Sequence, residues 1–228
     1  MEITWYGLSC FRLKEGNTVV LCDPFDKKIG TLPKVRADIV TISSNGGTKR
    51  GTSNGANGSE GDYAKLITGE PMFFNGPGEY ETHNVFISGM STYQKLPGSE
   101  EIERNTSFFF EMGDFIVGHL GALGEVPKQS QIESLKISEV DILLVPVGGG
   151  SMLDPTHAVE IVGMLEPKLV VPMLYSQDGF SASWVQTLEP VDKFLKELGF
   201  SEPESQTTLK VSKSGLPDET QVVLLEKS

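Results

Sequence analysis

The stretch DILLVPVGGGSMLDPTHAVEIVGMLEPKLVVP, residues 141–172, decides the fold class. It begins with a continuous apolar run, Asp141–Val147, and ends with a second one, Leu169–Pro172. Between them, Pro155–Leu165 has apolar residues at helical spacing, and Asp154 precedes the proline as a typical N-cap. Two apolar strands joined by a helix predict a parallel βαβ unit whose strands are buried on both faces.

Short alternating segments surround this unit and predict a β-rich first half. Turn residues separate these segments. Two more segments, Gln129–Leu135 and Val191–Leu198, have helical spacing, so the sequence as a whole predicts an α/β fold. The predicted strands outside the unit are Ile3–Trp5, Cys10–Leu13, Thr18–Cys22, Ala37–Ile42, Met72–Phe74, Val85–Ser91, Thr106–Met112, Phe115–Val117, Thr207–Val211 and Gln221–Leu225. The predicted core comprises Ile3, Trp5, Phe11, Val20, Ile39, Phe109, Ile116, Leu143, Val145, Ile161, Val170 and Phe194.

One segment, 43–62, has no apolar side chain larger than alanine and is rich in glycine. Loops longer than about 12–15 residues are uncommon in compact domains unless they are functional or disordered. We expect a flexible loop here, within a single domain that spans 1–228.

Composition excludes several classes of function. The chain has 228 residues and carries 31 acidic against 19 basic side chains, a formal net charge of −12. This charge repels nucleic acid and anionic membranes, so neither is an expected partner. No apolar run is long enough to span a bilayer and no signal peptide is evident at the start, so we expect a cytoplasmic protein. The two cysteines, Cys10 and Cys22, are expected to be small buried residues.

Histidines are scarce. Only His83, His119 and His157 occur, and no two of them have the short spacing of a metal-binding motif. The residues by themselves therefore predict no metal site.

Other candidate chemistry is equally sparse. A dyad of Ser43 or Ser44 with His119 has no support from spacing, and the chain has no nucleophile elbow. Asp23, at the end of a predicted strand, and Glu79, in a predicted turn, are candidate acid–base residues, although solvated turn carboxylates are commoner.

Seven short motifs nevertheless occur in a meaningful order: Trp5–Phe11 (WYGLSCF), Leu21–Phe25, Ala37–Val40, Gly76–Glu81, His119–Gly121, Asp141–Gly149 and Val171–Met173. Together they resemble the metallo-β-lactamase superfamily, and specifically the compact bacterial branch of metal-dependent hydrolases that includes the ascorbate-lactone hydrolases. The resemblance covers nearly the whole chain. It implies an αββα sandwich, in which two mixed sheets pack face to face, with a cleft formed by strand-end loops and occupied in relatives by zinc or manganese.

The chain departs from that family where relatives carry their metal ligands. The family's Thr-His-x-His-x-Asp-His motif corresponds here to the segment 43–49. A bridging aspartate and three further histidines are also replaced. The eight positions, which the resemblance places in the cleft, hold Leu8, Ser44, Gly46, Thr48, Lys49, Gln94, Ala122 and Leu174.

Three functional hypotheses follow from the resemblance. The first is a degenerate homologue without catalysis or cofactor, which serves as a binding, scaffolding or regulatory protein for a small molecule, a protein or a second copy of itself. The alternative is a hydrolase of lactones, phosphodiesters or thioesters with a non-standard or metal-independent site that uses Asp23, Glu79, His119 or Lys49. A third is a metal site made of Cys10, His119 and Asp23.

Overall fold

The computed structural model describes residues 1–44, 62–95, 101–137, 139–200, 203 and 205–228. In chain order the strands are β1 Glu2–Gly7, β2 Cys10–Glu15, β3 Thr18–Cys22, β4 Val35–Arg36, β5 Ile39–Thr41, β6 Ile67–Thr68, β7 Met72–Phe74, β8 Gly78–Thr82, β9 Val85–Lys95, β10 Ile102–Met112, β11 Phe115–His119, β12 Ile142–Pro146, β13 Leu169–Met173, β14 Ser205–Gln206, β15 Thr208–Lys210, β16 Gln221–Val222 and β17 Leu224–Leu225. The α-helices are α1 Gln129–Ser134, α2 Pro155–Leu165 and α3 Val191–Leu198, with 3₁₀ turns at Asp62–Leu66, Ser183–Thr187 and Lys213–Gly215.

Two mixed sheets form the framework. The first has the strand order β15-β1-β2-β3-β5-β7, and the second has the order β16-β13-β12-β11-β10-β9-β8. The predicted βαβ unit is present, since β12 and β13 pair in parallel with α2 between them. Its helix begins as predicted, because the Asp154 carboxylate accepts the backbone N–H of His157 at 2.9 Å.

The alternation of side chains along β10 shows how the layers pack. Phe108 and Phe110 lie in the core between the two sheets, whereas Phe109 lies in a second core with residues of α2 and α3. Successive side chains of a strand point to opposite faces, so one strand serves both cores. The second sheet is therefore covered by the other sheet on one face and by helices on the other, as in the αββα sandwich.

Most of the predicted core is buried, with one exception. Ile116 is only half-buried and packs at the edge of the helix-side core. The predicted turn at Gly76–Glu81 is partly wrong, because β8 occupies Gly78–Thr82 and pairs with β9. A short strand at a sheet edge has a weak sequence signal, since one side of it faces solvent.

Two expectations about organisation remain predictions: the single domain over 1–228 and the flexible loop 43–62, of which residues 45–61 lie outside the described ranges. Within those ranges, no helix is both long and apolar enough to cross a bilayer.

Candidate functional site

A pocket lies where loops from both sheets converge. Leu8 follows β1, Asp23 follows β3, Ser44 follows β5, Ala122 follows β11 and Leu174 follows β13. The described residues that line it are Leu8, Ser9, Asp23, Phe25, Ser44, Ala122, Leu174 and Trp184. About 40 Å³ of this pocket is open to water-sized molecules. That volume admits a few waters or the reacting end of a small molecule.

The backbone of this pocket is strained. Leu8, Asp23 and Leu174 have φ angles of 53°, 44° and 52°, in the left-handed region. This region costs an L-residue about 1–2 kcal/mol, and leucine has no local polar group to offset the cost. The two leucines are also coupled, because Leu174 donates its backbone N–H to the carbonyl of Leu8 at 3.4 Å. Conformations of this kind persist where the surrounding structure enforces them, and they cluster at functional sites.

Among the described residues that line this pocket, Asp23 is the only one with an ionisable side chain. Its side chain is nearly buried, and Oδ1 accepts the backbone N–H of Ser43 at 2.7 Å. Oδ2 lies 4.0 Å from Nε2 of His119. One carboxylate oxygen is thus fixed by a hydrogen bond, while the other lies beside an imidazole, beyond hydrogen-bond distance.

His119 is fully buried behind Asp23 and does not line the pocket. Its Nε2 lies 2.8 Å from the carbonyl oxygen of Ser9, and its Nδ1 lies 3.4 Å from Oγ of Ser43. A carbonyl only accepts, so Nε2 carries a proton and donates it to Ser9, while Nδ1 shares a hydrogen bond with the serine hydroxyl. His119 therefore holds Ser9 and Ser43 in place beside Asp23.

The structure separates the two serines of the proposed dyad. Ser43 contacts His119 but is 3% exposed and does not line the pocket. Ser44 lines the pocket and forms an isolated bridge with Asn105, without a contact to His119 among the described atoms. A nucleophilic serine needs contact with a base and exposure to the pocket. Ser43 has only the contact with His119, and Ser44 has only the exposure to the pocket, so neither meets both requirements.

Asn105, which sequence reasoning missed, holds one wall of the pocket. It is fully buried, and its Oδ1 accepts the backbone N–H of Ala122 at 2.9 Å. Its Nδ2 donates to Oγ1 of Thr92 at 2.7 Å and to the carbonyl of Leu120 at 2.9 Å. The only signal in the sequence was a polar residue directly before an apolar strand pattern, which is also common at strand ends.

The remaining sequence candidates lie elsewhere. Gln94 is buried on β9, where its Nε2 donates to Glu103 at 3.3 Å, and it is not in the pocket lining. Glu79 is exposed on β8 and lines a different depression. Three candidates fall outside the described residues: Gly46, Thr48 and Lys49.

Comparison with known proteins assigns the family. The model of the β-lactamase superfamily domain matches residues 2–174 of this chain. The chain belongs to the metallo-β-lactamase superfamily. A crystal structure of a candidate Zn-dependent hydrolase of this superfamily from Thermotoga maritima aligns with a TM-score of 0.75 and 32% identity, over 98% of this chain and 97% of that one.

Curated relatives of this metallo-β-lactamase chain belong to the UPF0173 family. A UPF0173 protein of Pyrococcus abyssi is 28% identical over 197 residues, 78% of this chain and 85% of that protein. A protein of Heliobacterium modesticaldum named UPF0173 metal-dependent hydrolase is 26% identical over 199 residues, 77% of this chain and 83% of that protein.

These comparisons correct two expectations. A non-catalytic binding, scaffolding or regulatory protein is contradicted, because the relatives are named as hydrolases. The expectation of no cofactor is likewise wrong, because the same relatives are named metal-dependent or Zn-dependent. Both errors have one cause: the expectation of lost ligands came from matching motif positions along the chain, and such a match does not show that the chemistry of a site has ended.

The described residues of this metallo-β-lactamase chain do not themselves fit such a metal. Within the described ranges, no three His, Cys, Asp or Glu side chains converge as a ligand group. Both ring nitrogens of His119 already have partners, and Oδ1 of Asp23 is bonded to Ser43. The third hypothesis also fails, because Cys10 is not grouped with these two residues and burial raises the pKa of its thiol, which disfavours the thiolate.

Proposed function

We propose that this chain is a hydrolase that cleaves an ester-like bond in the pocket around Asp23. One observation carries the proposal: a nearly buried carboxylate, on left-handed backbone, lines a pocket built by strand-end loops. The names of the relatives support hydrolysis as the class of reaction. The residues involved differ from those of the family's usual site.

The chemistry assigned to Asp23 is proton transfer. Oδ2 takes a proton from a water molecule in the pocket while that water attacks the carbonyl carbon of the substrate. The new C–O bond forms as the bond to the leaving oxygen or sulfur breaks, and the proton passes from Asp23 to the leaving group. Base catalysis of this kind contributes about 10²–10⁴-fold in rate.

His119 acts here as a positioning residue. Its contacts hold Ser43, whose backbone N–H fixes Oδ1 of Asp23, and Ser9, which lines the pocket. Loss of the imidazole would leave two buried polar groups with fewer partners and would free the carboxylate to turn. We expect its effect on the rate to arise through the orientation of Asp23.

Among the three substrate classes, the lining favours a neutral lactone or thioester. Leu8, Phe25, Ala122, Leu174 and Trp184 form apolar walls, and the only charge among the described lining residues is negative. A phosphodiester carries a negative charge, which this carboxylate repels more strongly inside apolar walls than it would in water. A lactone also agrees with the resemblance to ascorbate-lactone hydrolases.

The proposed reaction has no metal-bound step, because the described residues do not supply a ligand set. The relatives are nevertheless named as metal-dependent hydrolases, so the assays must test whether activity depends on a metal. Each assay is therefore run with a chelator and, separately, with added zinc or manganese. A small-molecule partner, self-association and a cytoplasmic location remain predictions.

The test is a hydrolysis screen with a lactone, an aryl thioester and bis(p-nitrophenyl) phosphate. We expect Asp23→Asn to lower kcat/KM for the preferred substrate by at least about 100-fold. His119→Gln should lower kcat by about 10-fold or more with a smaller change in KM. The matched control is Asp114→Asn, since Asp114 is exposed in the turn between β10 and β11.

Circular dichroism spectra of all variants should overlay that of the wild type. Activity that survives unchanged in Asp23→Asn would refute the role of Asp23 and would indicate a contaminating enzyme. If none of the three substrate classes is hydrolysed under any of the metal conditions, the proposed function is refuted.

A further inference from the structure

A second concave site lies on the outer face of the first sheet, away from the pocket around Asp23. Arg12 and Lys14 of β2 alternate with Phe11 and Leu13, which lie in the core between the sheets. The groove is lined by Tyr6, Arg12, Lys14, Asn17, Val19, Lys34, Val35 and Arg36, and its volume is about 340 Å³. It shares no lining residue with the pocket around Asp23.

The charge of this groove is opposite to that of the chain. Of the eight described residues that line it, four are cationic and none is acidic, although the chain has a net charge of −12. Such a concentration of one sign in a concave surface focuses the electrostatic field and attracts anions.

The two arginines are held in place from outside the lining. Arg12 donates to Oε1 of Glu2 at 2.7 Å, and Arg36 donates to both carboxylate oxygens of Asp38 at 2.6 and 3.0 Å. Asp38 is itself anchored, because Oδ2 accepts the backbone N–H of Val19 at 3.0 Å. The guanidinium groups are thus pre-positioned, which lowers the entropy lost when a ligand binds.

The two lysines keep their charge available. Within the described ranges, neither Lys14 nor Lys34 forms an ion pair within 4.0 Å. Lys14 is half-buried and Lys34 is exposed.

Tyr6 adds a hydrogen-bonding group to this groove. Its side chain is only 7% exposed, but its hydroxyl is not one of the buried polar atoms without a partner among the described residues. The hydroxyl is therefore accessible to solvent and to a ligand in the groove. Burial raises the pKa of Tyr6 and Arg12 partly offsets this, so the hydroxyl remains a neutral donor at physiological pH.

We propose that this groove binds a small phosphorylated molecule. The phosphate oxygens accept from Lys14, Lys34, the tyrosine hydroxyl and the arginine N–H groups that remain free, and the apolar part of the ligand lies against Val19 and Val35. Guanidinium and ammonium groups together are the usual partners of phosphate oxygens. The volume is at the lower end of the range for small-molecule sites, about 300–1,000 Å³, and the acidic remainder of the surface repels a polyanion.

The test is isothermal titration calorimetry on the full chain with inorganic pyrophosphate and AMP as probes. We expect saturable binding with a Kd below about 1 mM at about 50 mM salt, weakened by added salt. Citrate serves as a carboxylate of similar charge, and a single-stranded oligonucleotide serves as a polyanion. Both should bind more weakly than the phosphate probes.

The decisive comparison uses two double variants with the same change in charge. Lys14→Gln with Lys34→Gln removes the two unpaired groove cations, whereas Lys27→Gln with Lys28→Gln removes two exposed cations outside the groove. We expect the first pair to weaken the phosphate probes at least about 10-fold and the second less than about 2-fold. Tyr6→Phe should weaken them about 3–10-fold, the effect of one lost hydrogen bond.

Several outcomes would overturn the proposal. These are no saturable binding of either phosphate probe at about 10 mM, equal losses in the two double variants, or tighter binding of citrate or the oligonucleotide than of the phosphate probes. Circular dichroism of each variant shows that a loss of binding is not a loss of fold. The result is independent of the hydrolase assay, which concerns a different pocket.

Discussion

Replacement of Asn105 by alanine tests how the pocket wall is held. The side chain of Asn105 makes three buried hydrogen bonds, to Thr92, Leu120 and Ala122. After truncation, the carbonyl of Leu120 keeps a donor, because Ser107 Oγ donates to it at 3.1 Å. The backbone N–H of Ala122, which is buried, loses its acceptor.

The expected loss of stability can be worked out from these contacts. Each net hydrogen bond contributes about 1 kcal/mol, and a buried N–H without an acceptor costs about 1–3 kcal/mol. Partial relaxation of the loop and the remaining partners of Thr92 and Leu120 reduce the sum, so we expect Asn105→Ala to lower the free energy of unfolding by about 2–4 kcal/mol. For a chain of this length the melting temperature should fall by about 5–15 °C.

The isosteric variant Asn105→Asp separates hydrogen bonding from packing. Its carboxylate still accepts from Ala122 but no longer donates to the carbonyl of Leu120, and it places a charge in a fully buried position. We expect it to be at least as unstable as Asn105→Ala. Urea denaturation followed by tryptophan fluorescence measures both, with the exposed Asn75→Ala as the control. The reasoning fails if Asn105→Ala lies within about 0.5 kcal/mol of the wild type, or if Asn105→Asp is as stable as the wild type.

Three further predictions concern stability and reactivity. The oxygens of the buried Asp141 carboxylate lie 2.6 and 2.7 Å from Nζ of Lys213, whose side chain is 47% exposed. Lys213→Met should therefore destabilise the fold by about 3–5 kcal/mol, and Asp141→Asn should destabilise it less, because the freed ammonium reaches solvent. Equal losses of stability in chemical denaturation would contradict this. Burial raises the pKa of the Cys10 and Cys22 thiols, which therefore stay protonated at pH 8. Neither thiol should react with a thiol reagent until the chain unfolds. Rapid labelling of the native protein would show that the thiols are accessible. Gly148→Ala places a methyl group against the backbone carbonyl of Leu174, which follows β13. We expect this clash to cost about 1–3 kcal/mol of stability and to lower the melting temperature by several degrees. An unchanged transition in calorimetry would show that the loop adjusts at no energetic cost.

Local pattern predicted the elements that are long and strongly periodic. The helix from Pro155 and the apolar strands on either side of it have the expected bounds within a residue or two. Phe108 and Phe110 lie in one core and Phe109 lies in the other. This placement also follows from the alternation of side chains in a strand that is buried on both faces. The short edge strand β8 and the half-exposure of Ile116 did not follow, because neither position is strongly constrained by burial.

Prediction of the candidate site was more uneven. The motif comparison chose Leu8, Ala122 and Leu174 for the cleft, and in the structure these three residues line one pocket. It also chose Gln94, which lies outside that pocket and bonds to Glu103. A motif aligns positions along the chain, but it does not indicate which way a buried side chain turns.

By itself, the amino-acid sequence determined the α/β class, the βαβ unit and the acidic charge, because these depend on composition and on spacings of a few residues. Only the tertiary structure decided that Asp23 lines a pocket, that His119 is buried beside it between Ser9 and Ser43, and that Arg12 and Lys14 join Lys34 and Arg36 around a second groove. Contacts of this kind join distant parts of the chain, as in the hydrogen bond between Leu8 and Gln177 across 169 residues. They arise from the packing of two whole sheets, which no local pattern contains.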